Sequence, residues 1–368
     1  MIGYSIIRKT HPGRVMKFLL KLLLLLAVIA VAYLLLVPAP INSVAVQVSQ
    51  PLMFSGPLAV NDRLQSAELI SLPAGQSGGE DIARDPLGCL YTGTEDGSVM
   101  RKCPYSDWEV LLNTHGRPLG LHFDASQNLI IADGEKGLLS MSPAGKLTVL
   151  ADHFNGQRLG VVDDVDIGAD GTIYFSDASN RYALKDIVHD VLDGRSSGRL
   201  FAFDPQTSSL TLLSGGLAFA NGVAVSADQS YVLVNETFRY RIRKVWLSGD
   251  KAGQDEIITD NLPGMPDGIA RAPDGSYWVA MYGLRPKLVD AIHDQPWLKN
   301  LLARLPESLA PVPKPYGFIL QIDASGKILR SYHDQAAVAM GGITSVQPEA
   351  DGLYLGTLHM GRIGKLSF

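Results

Sequence analysis

One short pattern recurs six times between residues 81 and 357, and it constrains the fold more than any other feature of the chain. Each copy is a short apolar strand, a turn rich in Asp, Gly or Ser, and a second strand carrying aromatic or aliphatic pairs. The copies read DIARDPLGCLYTGT, GLHFDASQNLIIAD, DVDIGADGTIYFSD, GVAVSADQSYVLVNE, GIARAPDGSYWVAMY and GITSVQPEADGLYLGT, starting at Asp81, Gly120, Asp164, Gly222, Gly268 and Gly342. A lone hairpin cannot bury both of its faces. Stacking several such sheets around an axis buries them and leaves only short edges. Six units over residues 76–368 leave about 48 residues for each, enough for a four-stranded blade. The pattern therefore predicts an all-β, six-bladed β-propeller. A β-sandwich would account for the strands but not for the sixfold recurrence. Tyr91, Ile130, Tyr174, Tyr231, Tyr277 and Tyr354 are expected at equivalent strand positions.

Two segments interrupt the repeat. KDIVHDVLD at 185–193 reads as one or two helical turns. DQPWLKNLLARL at 294–305 has Asp294 in N-cap position and Leu298, Leu301, Leu302 and Leu305 at helical spacing. Both are short helical insertions between blade strands. The second would pack on the rim, form a lid over the channel, or make a second membrane contact.

Residues 18–37, FLLKLLLLLAVIAVAYLLLV, form a 20-residue apolar run broken only by Lys21. That length matches the roughly 30 Å hydrocarbon core of a bilayer. A cleaved signal peptide would have an apolar stretch of about 7–15 residues and a small-x-small site after it. Here Val37-Pro38-Ala39-Pro40 follows instead. The reading is an N-terminal transmembrane anchor at 18–37, a basic cytoplasmic N-terminus at 1–17, an approach segment at 38–75 and the propeller at 76–368. Arg8, Lys9, Arg14, Lys17 and Lys21 are basic and residues 1–37 contain no acid. The positive-inside rule then keeps the N-terminus cytoplasmic and sends the propeller to the periplasm, lumen or exterior. Without those five residues the chain has 27 basic and 37 acidic side chains, a net −10. That sign excludes an ordinary nucleic-acid surface. The partners expected are the membrane and a small-molecule substrate, with the oligomeric state left open. Cys89 and Cys103 flank a hairpin signal centred on Asp96-Gly97. They are close enough to bridge in an oxidising compartment, or are two separate buried thiols.

The repeat also predicts a site. If the first strand of each unit lines the channel, the residues just before the six copies form a ring at its mouth: Glu80, Leu119, Asp163, Asn221, Asp267 and Gly341. Four of these offer side-chain oxygens and none is basic. Three converging carboxylates need a positive charge between them. Oxygen donors without Cys or His suit Ca²⁺ rather than zinc. Glu80, Asp163, Asn221 and Asp267 are therefore the expected calcium ligands. Asp164 and Asp166 are read as structural, and His115 and His122 as surface or turn residues.

These same stretches resemble a known family. DDVDIGADGTIYFSDASNRY, GLAFANGVAVSADQSYVLVNET, YRIRKVWLSGDKAG, LPGMPDGIARAPDGSYWVAM, HDQPWLKNLLARLP and DGLYLGTLHMGRIG are similar to the strictosidine synthase-like branch of the calcium-dependent six-bladed propellers. That wider superfamily includes gluconolactonases (SMP-30 proteins), paraoxonases and diisopropyl-fluorophosphatases. The resemblance covers about residues 70–368, and with the anchor it is strongest to an adipocyte plasma membrane-associated group. It implies a calcium in the channel, with Glu80, Asn221 and Asp267 at the family's ligand positions. Asp163 stands where the pattern usually has Asn. The glutamate that strictosidine synthase proper uses near the start of the last blade has no acidic counterpart, because Thr344 or Ser345 falls there. That disfavours a condensing synthase. The histidine that paraoxonases carry in the ring is Leu119. The function expected from the resemblance is a calcium-dependent hydrolase of lactones or aryl or organophosphate esters, with Asp267 as catalytic base or nucleophile. The alternative is a non-catalytic binding scaffold with structural calcium.

Overall fold

The computed structural model describes residues 12–305 and 314–368. The basic N-terminal residues 1–11 lie outside them. The apolar run is a single helix, α1 (Pro12–Leu36), long and apolar enough to cross a membrane. Its length follows from an apolar run interrupted only by Lys21 from Phe18 onward; Pro38 and Pro40 then prevent its continuation.

The repeat folds as six four-stranded antiparallel sheets. Their innermost strands are Ile82–Arg84, Pro118–Phe123, Val162–Ile167, Ala220–Val225, Gly264–Arg271 and Ile343–Glu349. In five blades the four strands follow one another in sequence. The sixth takes its outermost strand from upstream: Glu68–Ser71 pairs with Arg362–Leu366. The ring is thus closed by a strand from the segment read as an approach to the propeller, and the all-β fold draws on residues before 76. Joining the first and last strands of the propeller in one blade closes the ring and leaves no unpaired edge on Arg362–Leu366.

The core lies between blades rather than at one centre. Tyr231, Leu233, Val279 and Phe318 pack between the fourth and fifth blades, while Trp278, Ile319, Val346 and Leu355 pack between the fifth and sixth. Alternation along each strand sends side chains to the two faces of its sheet, so both faces are apolar. Cys89 and Cys103 end the pairing of Leu90 with Lys102 and are joined by a disulfide, with Cα atoms 3.9 Å apart.

Both helical insertions are present. Leu184–Asp186 forms a 3-10 turn leading into α2 (Ile187–Asp193). The second insertion starts earlier than the sequence suggests: α3 (Lys287–Ile292) precedes α4 (Pro296–Leu302). The N-cap of α4 is Gln295, not Asp294, because Pro296 takes the first helical position.

Candidate metal centre in the channel mouth

A local irregularity sets the ring residues apart from the strands around them. In the inner strands of blades two to six the pairing slips by one residue at the same place: between Pro118 and Gly120, Val162 and Val165, Ala220 and Val223, Pro266 and Ile269, and Ile343 and Ser345. Such bulges bend a strand and re-aim the side chain of the extra residue. The residues inside them include Leu119, Asp163, Asn221, Asp267 and Thr344. Glu80 occupies the matching place ahead of Ile82 in the first blade.

Below the bulge, Ile82, Leu121, Val165, Val223, Ile269 and Val346 pair with Thr92, Ile131, Phe175, Val234, Val279 and Leu355. Counting back two residues from each inner-strand member gives Glu80, Leu119, Asp163, Asn221, Asp267 and Thr344. The sixth ring position is therefore Thr344, three residues beyond the expected Gly341. The same register puts Tyr91, Ile130, Tyr174 and Tyr354 at one level, as expected. Tyr231 and Tyr277 are out of step with them; Leu233 and Trp278 hold that level.

Glu80, Asp163 and Asp267 are buried, and a carboxylate oxygen from each lies within 4.8 Å of the others. Asn221 is also buried, and its Oδ1 has no hydrogen-bond partner among the described residues. Burial pushes the Glu80 carboxyl well above its ordinary range, and the charges of Asp267, Asp163 and Asp81 push it further. Burial and then Asp267 raise Asp163 in the same way. Burial raises Asp267, opposed by a hydrogen bond from Asn221. Three clustered buried acids and an orphan amide oxygen form an all-oxygen donor set. It fits a hard divalent cation, which would hold the acids ionised and satisfy the amide.

The framework fixes each ligand from behind. Thr344 donates its hydroxyl to the Glu80 carbonyl at 2.7 Å, linking the sixth blade to the first. Asn235 donates its side-chain amide to the Asp267 carbonyl from the neighbouring blade, and Thr237 donates to the carbonyl of Pro266 at 2.7 Å. Gly222 is required where it stands, because a Cβ there would collide with the Asp267 carbonyl; Gly268 meets the Thr344 carbonyl in the same way. This explains why glycine follows the ring residue in the fourth and fifth units.

In the first and third units an aspartate follows instead, with a different task. The inner strand has no neighbour on its channel side, so its N–H groups there need acceptors. Asp81 accepts from Leu121 N at 2.9 Å, Asp164 from Val223 N at 2.7 Å and Asp166 from Val225 N at 2.8 Å. The channel they line continues as a cavity of about 100 Å³ from Glu80 past His122, Arg271 and Gln347. His122 is thus a channel residue rather than a surface or turn residue, its Nδ1 3.6 Å from Asp166 Oδ1. His115 is in a turn, with φ 56°.

Two neighbours of the ring carry no signal in the repeat. Arg117 is buried, donates to Gly78 O at 3.1 Å and lies close enough to Glu80 and Asp163 to lower both carboxyls. Glu95 accepts from Ser77 and lies 2.6 Å from His359 Nδ1, a carboxylate–imidazole pair in loops on the mouth side.

A family model described as "Strictosidine synthase" matches residues 163–250, and one described as "Strictosidine synthase-like, N-terminal" matches 56–102. The adipocyte plasma membrane-associated protein of Salmo salar is 31% identical over 384 residues, covering 97% of this chain and 91% of the relative. Strictosidine synthase-like 6 of Arabidopsis thaliana is 36% identical over 319 residues, covering 84% of each. Among solved structures, a gluconolactonase of Xanthomonas campestris superposes with a TM-score of 0.60 at 18% identity, covering 90% of this chain and 99% of that one. A calcium-binding protein, regucalcin, of Agrobacterium tumefaciens gives 0.54 at 15% identity, covering 80% and 96%. With an N-terminal apolar helix, a closed six-bladed ring and these relatives along nearly its whole length, the chain belongs to the strictosidine synthase-like and adipocyte plasma membrane-associated protein family of β-propellers.

Proposed function

We propose that this protein is a membrane-anchored, calcium-dependent hydrolase of lactones or aryl or organophosphate esters. The observation that carries the reading is the buried acid cluster with the orphan Asn221 oxygen beside it. Glu80, Asp163, Asn221 and Asp267 would hold Ca²⁺. The bound ion supplies Lewis acidity toward a carbonyl or phosphoryl oxygen. Asp267 is the base that takes a proton from the attacking water, or the nucleophile itself. Glu80 and Asp163 stay ionised and hold position. Leu119, in place of a sixth polar group, leaves one side of the ring apolar for the substrate's hydrocarbon part. The gluconolactonase and regucalcin folds among the structural neighbours are in keeping with a metal-bearing propeller.

The absence of a polar ring residue at Leu119 also favours a second reading, a binding scaffold in which calcium is purely structural. A panel of lactones and aryl esters, assayed with chelator and with calcium restored, separates the two. Hydrolysis that stops with chelator supports the enzyme. Calcium binding without turnover of any substrate supports the scaffold.

For topology, we infer a cytoplasmic N-terminus and a propeller on the far side of the membrane. The five Lys and Arg side chains up to Lys21, with no acid in residues 1–37, support this, as does a disulfide, which persists in oxidising compartments.

A further inference from the structure

The end of α1 is tied to the mouth of the channel. Asp177, which ends the second strand of the third blade, pairs with Val162 beside Asp163, and α2 follows that strand. Leu284 ends the second strand of the fifth blade opposite Gly264, and α3 and α4 follow it. The three short helices thus cap the same end of the propeller as the acid cluster.

Residues 41–46 are strapped into this cap. Ile41 is buried among Leu192, Ile292 and Ala303. Ser43 Oγ donates to Pro296 O at 2.9 Å, Val44 N to Asp193 O at 2.9 Å and Val46 N to His293 O at 2.9 Å. Lys299, fully buried, donates its ammonium to Val44 O at 2.6 Å. Only residues 38–40 separate Val37 from the docked Ile41, a reach of at most about 14 Å. Arg304 shortens the gap further: its Nε donates to Val37 O at 2.6 Å, and its own carbonyl accepts from the Tyr33 hydroxyl at 3.3 Å.

Trp297 shares a face of α4 with Asn300, three residues on, and Arg304 follows in the turn just beyond the helix end. Asn300 and Arg304 hold the chain leaving α1. Trp297 is nevertheless 64% exposed, and the cap also presents Leu288 at 46% and Val188 at 42%. A large aromatic with a polar N–H, left in the open beside the end of a membrane span, suits the lipid–water interface.

We propose that the cap of α2, α3 and α4 rests on the bilayer that α1 spans, with Trp297, Leu288 and Val188 in the interface, so that the channel mouth opens toward the lipid surface. The occupant is the phospholipid surface itself, because a tether of three residues leaves no room for a partner domain between span and cap. The inference rests on α1 crossing the membrane and is independent of what the site hydrolyses.

The test uses the full chain in phosphatidylcholine vesicles whose acyl chains are brominated close to the headgroup. The span contains no tryptophan, and Trp108, Trp246 and Trp278 belong to blade strands, so Trp297 is the only reporter on the cap. Bromolipid is expected to quench part of the tryptophan emission, and Trp297→Phe to abolish that quenched part. Emission identical in brominated and plain vesicles, or quenching that survives in Trp297→Phe, would overturn the proposal. Neither outcome depends on finding a substrate, so the hydrolase reading stands or falls separately.

Discussion

The hydroxyl of Thr344, in the last blade, donates to the main-chain oxygen of Glu80, just ahead of the first blade, across 264 residues of sequence. This bond holds an acid of the cluster at the seam where the ring closes. Thr344→Val keeps the shape of the side chain and removes the donor, leaving a buried carbonyl unpaired. Stability is expected to fall by about 1–3 kcal/mol. Calcium affinity should fall about 10–100-fold, as for other groups that orient a ligand from behind. Denaturant melts and calorimetric titration of the same variant read the two effects.

Calcium should stabilise the fold by mass action, by about 2.7 kcal/mol when free ion is one-hundredfold above its Kd. Chelator should therefore lower the melting temperature of the parent. Glu80→Gln removes one of three ligand charges and should weaken calcium on the order of tenfold or more. A parent whose melting temperature is the same in chelator and in calcium has no such site.

Asp190 offers a pH test away from the acid cluster. It lies buried in α2, its Oδ2 has no hydrogen-bond partner among the described residues, and burial raises its carboxyl to about 6. The folded state holds this proton more tightly than the unfolded chain. Its contribution to stability is therefore complete below the unfolded value near 4, and is lost as pH rises through about 6. Asp190→Asn should stabilise the protein at pH 7 by on the order of 2–3 kcal/mol and by little at pH 4. Thermal melts across that range compare the two proteins; parallel curves would mean that Asp190 does not titrate as described.

The Cys89–Cys103 bridge closes a loop with a sequence separation of 14. A loop of that size is worth about 3 kcal/mol by chain entropy. Replacing both cysteines by serine should lower stability by up to about that amount while leaving calcium affinity unchanged, since the acid cluster lies at the other edge of the ring.

The propeller was legible because its units repeat a physical constraint. Each inner strand begins with a residue aimed at the axis, and glycine follows where the next blade's carbonyl comes close, as Gly222 does beneath Asp267. The last unit misled because its two glycines, Gly341 and Gly342, imitate that signal; the bulge falls at Thr344, whose only mark is a hydroxyl. Tyr231 lies two residues before Leu233, and one of the two arises because the first hairpin of the fourth blade is one residue longer than those of the first three: Val225 pairs with Val232, whereas Ile167 pairs with Ile173. In the fifth, adjacent Tyr277 and Trp278 offered two aromatics for one position. The closing strand Glu68–Ser71 is too short to announce itself. Arg117 and the Glu95–His359 pair reach the mouth through loops, where no periodicity marks them.

Asp267 is the residue on which ligand and catalyst can be told apart. Its carbonyl is held by Asn235 and its carboxylate faces Glu80 and Asp163, so Asp267→Asn preserves the backbone and leaves an amide oxygen for the ion. The most direct measurement is hydrolysis of a lactone and aryl ester panel by the purified parent and by Asp267→Asn. Each is assayed in calcium and in chelator, with calcium affinity measured alongside. Catalysis by Asp267 at a calcium site requires parent turnover that chelator abolishes and calcium restores, and a loss of about 10²–10⁴-fold in the variant despite retained calcium binding. Turnover by Asp267→Asn equal to the parent's, or parent activity that persists in chelator, would contradict it.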